Sequence, residues 1–151
     1  MTPSLTPLAI DVRRVVYDLV LATGRIPDSA ELAHITGASR EEVRAALREL
    51  EEAHMLVLQR GSGEVLMAMP FSAVPTPFVV DAGGVRAWGN CIWDALGIPI
   101  MMGRDAVIET GCGCCGTLMV LHVRGGDLRE REGIVHFGVP ARSWWEDVVF
   151  T

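Results

Sequence analysis

The chain has 151 residues, half of them hydrophobic, with a formal net charge of −6. That balance supplies a real core, enough for one compact unit or for a small helical module joined to a larger α+β core, and it excludes a disordered chain. The acidity argues against a nucleic-acid partner, which needs clustered Lys and Arg, although simple solubility accounts for it equally well.

Residues 1–10 lack the basic and apolar regions of a secretory leader, and the apolar run 19–22 is far short of a membrane span. The sequence therefore reads as cytoplasmic and without a membrane partner. In a reducing compartment its four cysteines are free thiols, metal ligands or catalytic groups rather than disulfides.

In chain order, Ile10, Val12, Val15, Val16, Leu19 and Val20 form an apolar stripe at helical spacing, stopped at Gly24. A second, short helix starts near Asp28 or Ser29, turns Leu32, Ala33 and Ile35 inward, and ends at Gly37. A third begins at Ser39, whose partner Glu42 completes a capping box, and buries Val43, Ala46, Leu47 and Leu50. Residues 56–58 and 65–67 flank Gly61-Ser62-Gly63, a hairpin signal. Three helices and a hairpin make a winged-helix-like pattern over residues 1–69. The usual work of that pattern is DNA binding. The third helix, however, mixes Arg40, Arg44 and Arg48 with five glutamates, and the wing offers only Arg60, so a structural or dimerising role stands ahead.

Pro70, Pro75 and Pro77, with Ser72 and Thr76, mark 70–77 as a Pro-rich linker. Residues 78–151 then read as an α+β core built on a mixed sheet. Strands are expected at 78–80, 85–88, 106–109, 117–123 and 134–138, and a helix over 90–96 that Gly97 and Pro99 terminate. Ser143 is the expected cap of a last short helix carrying Trp144 and Trp145.

Two segments carry chemistry. In Trp88-Gly89-Asn90-Cys91-Ile92-Trp93-Asp94, a helix capped by Asn90 would place Cys91 in its first turn, where the dipole favours a thiolate. Asp94, three residues on, shares its face. Two neighbouring anions raise each other's pKa, so one tends to keep a proton, and a soft nucleophile beside a proton donor suits a reaction that binds a soft atom and protonates its leaving group. Spacing alone favours the blander alternative, a buried structural Cys with Asp94 as a local cap. In Thr110-Gly111-Cys112-Gly113-Cys114-Cys115-Gly116, the Cys112/Cys115 pair can grip one metal, but no second Cys-x-x-Cys exists, so a tetrahedral zinc site needs Cys114, Cys91, His122 or His136 brought close by the fold. His122 and His136 sit in apolar strand patterns and read as hydrogen-bonded core residues. The tryptophans read as core or pocket wall, Arg142 as surface, and the charged run 129–132 as a solvated loop.

The order of these segments matters more than any one of them. Trp88 through Pro99, with Cys-x-x-Asp-x-Leu-x-Ile-Pro, then Gly103-Arg104 and a strand leading to Cys112, resembles the catalytic core of the organomercurial (alkylmercury) lyases. Val135-His136-Phe137 with Trp144-Trp145-Glu146-Asp147 is similar to that family's C-terminal segment, and the N-terminal module is similar to its helical module. The resemblance implies protonolysis of a carbon–mercury bond, with Cys91 as thiolate and Asp94 as the proton-handling carboxylate. Hg(II) would remain as bound product, and no organic cofactor is implied. A small organometal is the implied substrate, and a low-molecular-weight thiol or a mercuric reductase the product acceptor; a homodimer is left open. It also implies a structural Cys112. One departure stands out: the family's second catalytic cysteine precedes the His-Phe strand, where this chain has Glu130-Arg131-Glu132-Gly133-Ile134. The second thiol is then expected from Cys112, Cys114 or Cys115. The metal-ligand set so read is Cys91, Cys112, Cys114 and Cys115. A soft-metal (Hg(II), Cu or Zn) binding protein without turnover and a metal-responsive winged-helix regulator are the alternatives.

Overall fold

The computed structural model describes residues 5–149. Its N-terminal part is three helices, each fixed by local capping. Helix α1 (Pro7–Thr23) starts with Pro at its first position and the Thr6 hydroxyl accepting from the Ala9 N–H. It stops at Gly24, whose φ is +74°. A Cβ at Gly24 would sit 2.0 Å from the Arg86 carbonyl oxygen, so the missing side chain lets the end of α1 press against the main sheet. Helix α2 (Ser29–Thr36) is capped by Asp28 and α3 (Arg40–Glu52) by the expected Ser39/Glu42 box.

Two apolar residues expected inside are not: Ile10 and Ile35 are 55 % and 47 % exposed. Ile10 lies off the buried row of α1, and the two-turn α2 buries Ser29 and Leu32 instead. Arg40 and Arg44 turn toward Glu64 of the hairpin, at 3.4 and 3.9 Å. The same carboxylate accepts from the Ser29 N–H and hydroxyl at 2.7 and 2.6 Å, joining α2, α3 and the wing.

Strands β1 (Val57–Leu58) and β2 (Val65–Ala68) form the hairpin, and β3 (Phe71–Ser72), inside the Pro-rich stretch 70–77, adds a third antiparallel strand. Phe71 is fully buried and bridges to Gly89. The main sheet runs β5-β4-β6-β7-β8, from β4 (Val79–Ala82), β5 (Val85–Trp88), β6 (Ala106–Gly111), β7 (Leu118–Arg124) and β8 (Asp127–Leu128). The class is α+β as expected, but the sheet is not mixed: among the described residues every pairing is antiparallel, because the strands follow one another through short turns or fold back beside β4. One hydrophobic cluster runs from Val12, Leu47 and Phe71 to Val80, Ile98 and Ile108, so both halves share a core. Among the described residues no helix is long and apolar enough to cross a membrane.

Three expectations fail in this half. Helix α4 spans Ile92–Met102 and runs through Gly97 and Pro99. Ala95, Ile98 and Pro99 are buried as α4 packs across β4 and β6, and that burial outweighs the local breakers. Residues 134–138 form no strand: Ile134 is 93 % exposed, His136 is exposed, and the chain has left the sheet after β8. The last helix is a 3₁₀ turn, Ala141–Glu146, preceded by Pro140 and containing Ser143 rather than being capped by it.

Candidate functional site

The site begins at a close backbone approach. Gly89 follows β5, and a Cβ there would lie 2.7 Å from the Ala95 nitrogen, so the strand end and the first turn of α4 touch directly. Gly89 is held on both sides, its N–H donating to Phe78 at 2.9 Å and its carbonyl accepting from the Thr76 hydroxyl at 2.6 Å. That contact sets where the next five residues go.

Cys91 itself, not Asn90, is the N-cap of α4. Its Sγ accepts from the Asp94 N–H at 3.5 Å, the position a capping oxygen normally takes. Asn90 donates from Nδ2 to the Asp94 carboxylate at 3.0 Å, while its buried Oδ1 has no partner among the described residues. Cys91 and Asp94 are thus side by side, both partly buried, and both line one cleft.

The electrostatics reverse one expectation. Burial pushes the Cys91 thiol up, against the Asp94 N–H that favours the thiolate, and the nearby Asp94 charge adds to the rise. Burial likewise raises the Asp94 carboxyl, outweighing its hydrogen bond from Asn90. The helix start does not win here, because removing water from a group costs more than one turn of aligned N–H groups returns. Both groups therefore hold their protons to a higher pH than their ordinary values. Tyr17 of α1 senses the same charge. Its hydroxyl is raised by burial, lowered by Arg13 and raised by Asp94, and it donates to the Met69 carbonyl at 3.0 Å.

The cleft encloses about 90 Å³, several times the ~10–15 Å³ one water needs by the same kind of measure. Met67 and Met69 form one wall, and the segment after β8 forms the other. Phe137 meets Trp93 edge-on at 6.2 Å and Trp144 at 5.1 Å, and Trp145 stacks on His54 at 4.3 Å. Of residues 134–138, Phe137 thus spends its side chain on the cleft instead of on a strand. His122 is hydrogen-bonded as expected but is not a core residue, its side chain being 41 % exposed, and its ring and backbone N–H both meet Glu130 at 2.8 Å. This tie starts the segment on its way back across the molecule.

The three remaining cysteines lie elsewhere. They occupy the β6–β7 turn, outside the cleft lining, with Cys114 and Cys115 exposed. The register Trp88↔Val79↔Glu109 puts this turn at the same sheet end as Cys91, two strands away or roughly 10 Å laterally. Cys115 Sγ is 3.1 Å from the Thr117 hydroxyl, and hydrogen bonds from Thr117 and from the Cys112 thiol hold the Cys115 thiol below its usual range. Among the described residues no three His, Cys, Asp or Glu side chains cluster closely enough to hold a metal ion.

Sequence reasoning singled out Cys91 and Asp94 and missed Met67, Met69 and Tyr17. Nothing in their local pattern distinguishes them from ordinary core residues.

Residues 71–151 match a family model described as alkylmercury lyase. Alkylmercury lyases of Bacillus cereus and Clostridium butyricum are each 30 % identical over 106 residues, covering 69 % of this chain and 45 % of theirs. The chain spans about half the length of these curated relatives. The crystal structure of the mercury-bound form of MerB2 has a similar fold, with a TM-score of 0.65 at 20 % identity, covering 84 % of this chain and 61 % of that one.

Proposed function

The chain belongs to the alkylmercury lyase family, and from that premise we propose that it cleaves carbon–mercury bonds by protonolysis at Cys91 and Asp94. The observation that carries this reading is one cleft, open and largely apolar, lined by a soft nucleophile and a carboxyl group three residues apart on the same turn.

The substrate is an organomercurial R–Hg–X whose organic group rests against Trp93, Phe137 and Trp144. The Cys91 thiol gives up its proton to X as its sulfur bonds mercury, a step driven by the softness of Hg(II). Sulfur donation weakens the Hg–C bond. Asp94 then delivers its proton to the carbon, the Hg–C electron pair becomes the C–H bond, and the hydrocarbon R–H leaves. Mercury stays as Hg(II) on Cys91, beside the new Asp94 carboxylate. The raised carboxyl supports the role, since a proton donor gains from holding its proton to a higher pH than an ordinary carboxylate. Asn90, hydrogen-bonded to the carboxylate, orients it.

The second thiolate of the reaction is assigned to the turn of Cys112, Cys114 and Cys115, as the place Hg(II) moves to once carbon has gone. Its exposure suits a hand-over to a low-molecular-weight thiol or a mercuric reductase in a reducing cytosol. Methane release from methylmercury by wild type, Cys91→Ser and Asp94→Ala tests the assignment. Both variants should lose release, with Asp94→Ala still binding mercury, and equal rates in all three would end it.

A second reading is a soft-metal carrier without turnover, favoured by the lack of a thiol in residues 130–134. Under it, Asp94→Ala leaves function untouched. The regulator reading has less support, since Arg40 and Arg44 of α3 are engaged by Glu64.

A further inference from the structure

Met67 lies in β2 and Met69 follows it in the turn to β3, and both line the cleft that holds Cys91 and Asp94. Met67 is 9 % exposed, yet it is not part of the contiguous hydrophobic cluster that takes in Val65, Ala68 and Phe71. It faces the cleft instead. Met69 lines the same cleft with its carbonyl pinned by Tyr17. Two methionine side chains therefore line the same cleft as Cys91 and Asp94. Thioether, like thiolate, is a soft donor that prefers soft cations.

Charge balance favours a neutral donor here. With R–Hg⁺ on the Cys91 thiolate and Asp94 protonated, the site is neutral. After proton transfer it holds Hg²⁺, one thiolate and one carboxylate, and is neutral again. A second thiolate inside the cleft would leave a net negative charge at both stages, which an apolar, part-buried cavity disfavours. A thioether binds without losing a proton and keeps the balance.

We propose that Met67 and Met69 complete a soft-cation site with Cys91, one of their thioether sulfurs giving mercury the dative contact that the family pattern would draw from a cysteine at 130–134. This rests on the reading of Cys91 as the capturing sulfur. It makes the turn cysteines acceptors of the product rather than parts of the capture site. No bond breaks in this step; a sulfur lone pair is shared with a metal already bonded to Cys91.

The test uses full-length protein with its methionines replaced by selenomethionine, loaded with methylmercury chloride and read by X-ray absorption at mercury. A selenium neighbour at bonding distance is expected, and it should vanish in the Met67→Leu/Met69→Leu double variant. Leucine conserves volume and the apolar wall, so the variant isolates the sulfur. In competition with a small thiol the double variant should also retain methylmercury about tenfold less well, the scale on which lost support around a metal acts. Mercury held through Cys91 with no selenium neighbour and unchanged retention overturns the thioether site and leaves the lyase reading standing. Retention that survives Cys91→Ser overturns both.

Discussion

Gly89→Ala probes the contact on which the site is built. The added Cβ would stand 2.7 Å from the Ala95 nitrogen, 2.9 Å from its Cα and 3.0 Å from its Cβ, where ordinary contact begins near 3.4 Å. All three are close to backbone, so no flexible side chain can swing away, and the shortfall of about 0.7 Å falls on α4 or on the end of β5. Ala95 is fully buried, which blocks easy retreat of the helix. Overpacking of this kind costs about 1–3 kcal/mol. Cys91 and Asp94 ride on the displaced turn, and a misplacement near 1 Å lowers a rate by roughly 10²-fold. Urea unfolding should show the loss of stability, and hydrocarbon release from methylmercury should show the loss of rate in protein that is still folded. Gly111→Ala is the control, since its nearest new neighbour is 3.7 Å away and its effect should stay within about 0.5 kcal/mol. An unchanged unfolding midpoint and rate for Gly89→Ala would refute the reasoning.

Asp94 has a raised folded-state pKa, so the ionised carboxylate is disfavoured in the fold and stability falls as pH climbs from the ordinary carboxylate range through the raised value. Asp94→Asn should remove that slope and be more stable than wild type near neutral pH; the wild-type lyase rate should fall over the same pH window. Both are read from denaturation and rate profiles against pH, and an Asp94→Asn profile parallel to wild type would contradict them. Trp145→Ala deletes the stack on His54 and should loosen the segment that covers the cleft. Cys91 should then be alkylated several-fold faster, as mass spectrometry of iodoacetamide-treated protein can follow, and an unchanged rate would mean the segment does not guard it. Thr117→Val removes the hydroxyl beside Cys115, so less thiolate should be present near neutral pH and alkylation at Cys115 should slow. Equal rates would show that Thr117 does not tune it.

The sequence by itself determined what local chemistry decides. The Ser39/Glu42 box, the stop at Gly24 and the hairpin around residues 61–63 each depend on groups a few residues apart, and they form as read. The adjacency of Cys91 and Asp94 is equally local, three residues on one turn. Tertiary structure decided the rest. It drew α4 on through Pro99 because Ala95 and Ile98 had a sheet to bury against, and it raised the pKa of Cys91 because that packing removes water. It also spent Phe137 and Trp144 on the cleft instead of on a strand or a core. The cleft itself joins Met67 and Met69, residues 90–94 and residues 137–149, segments far apart in the chain. A residue's own neighbours carry no record of which distant wall it will face, because burial is settled by the packing of whole elements.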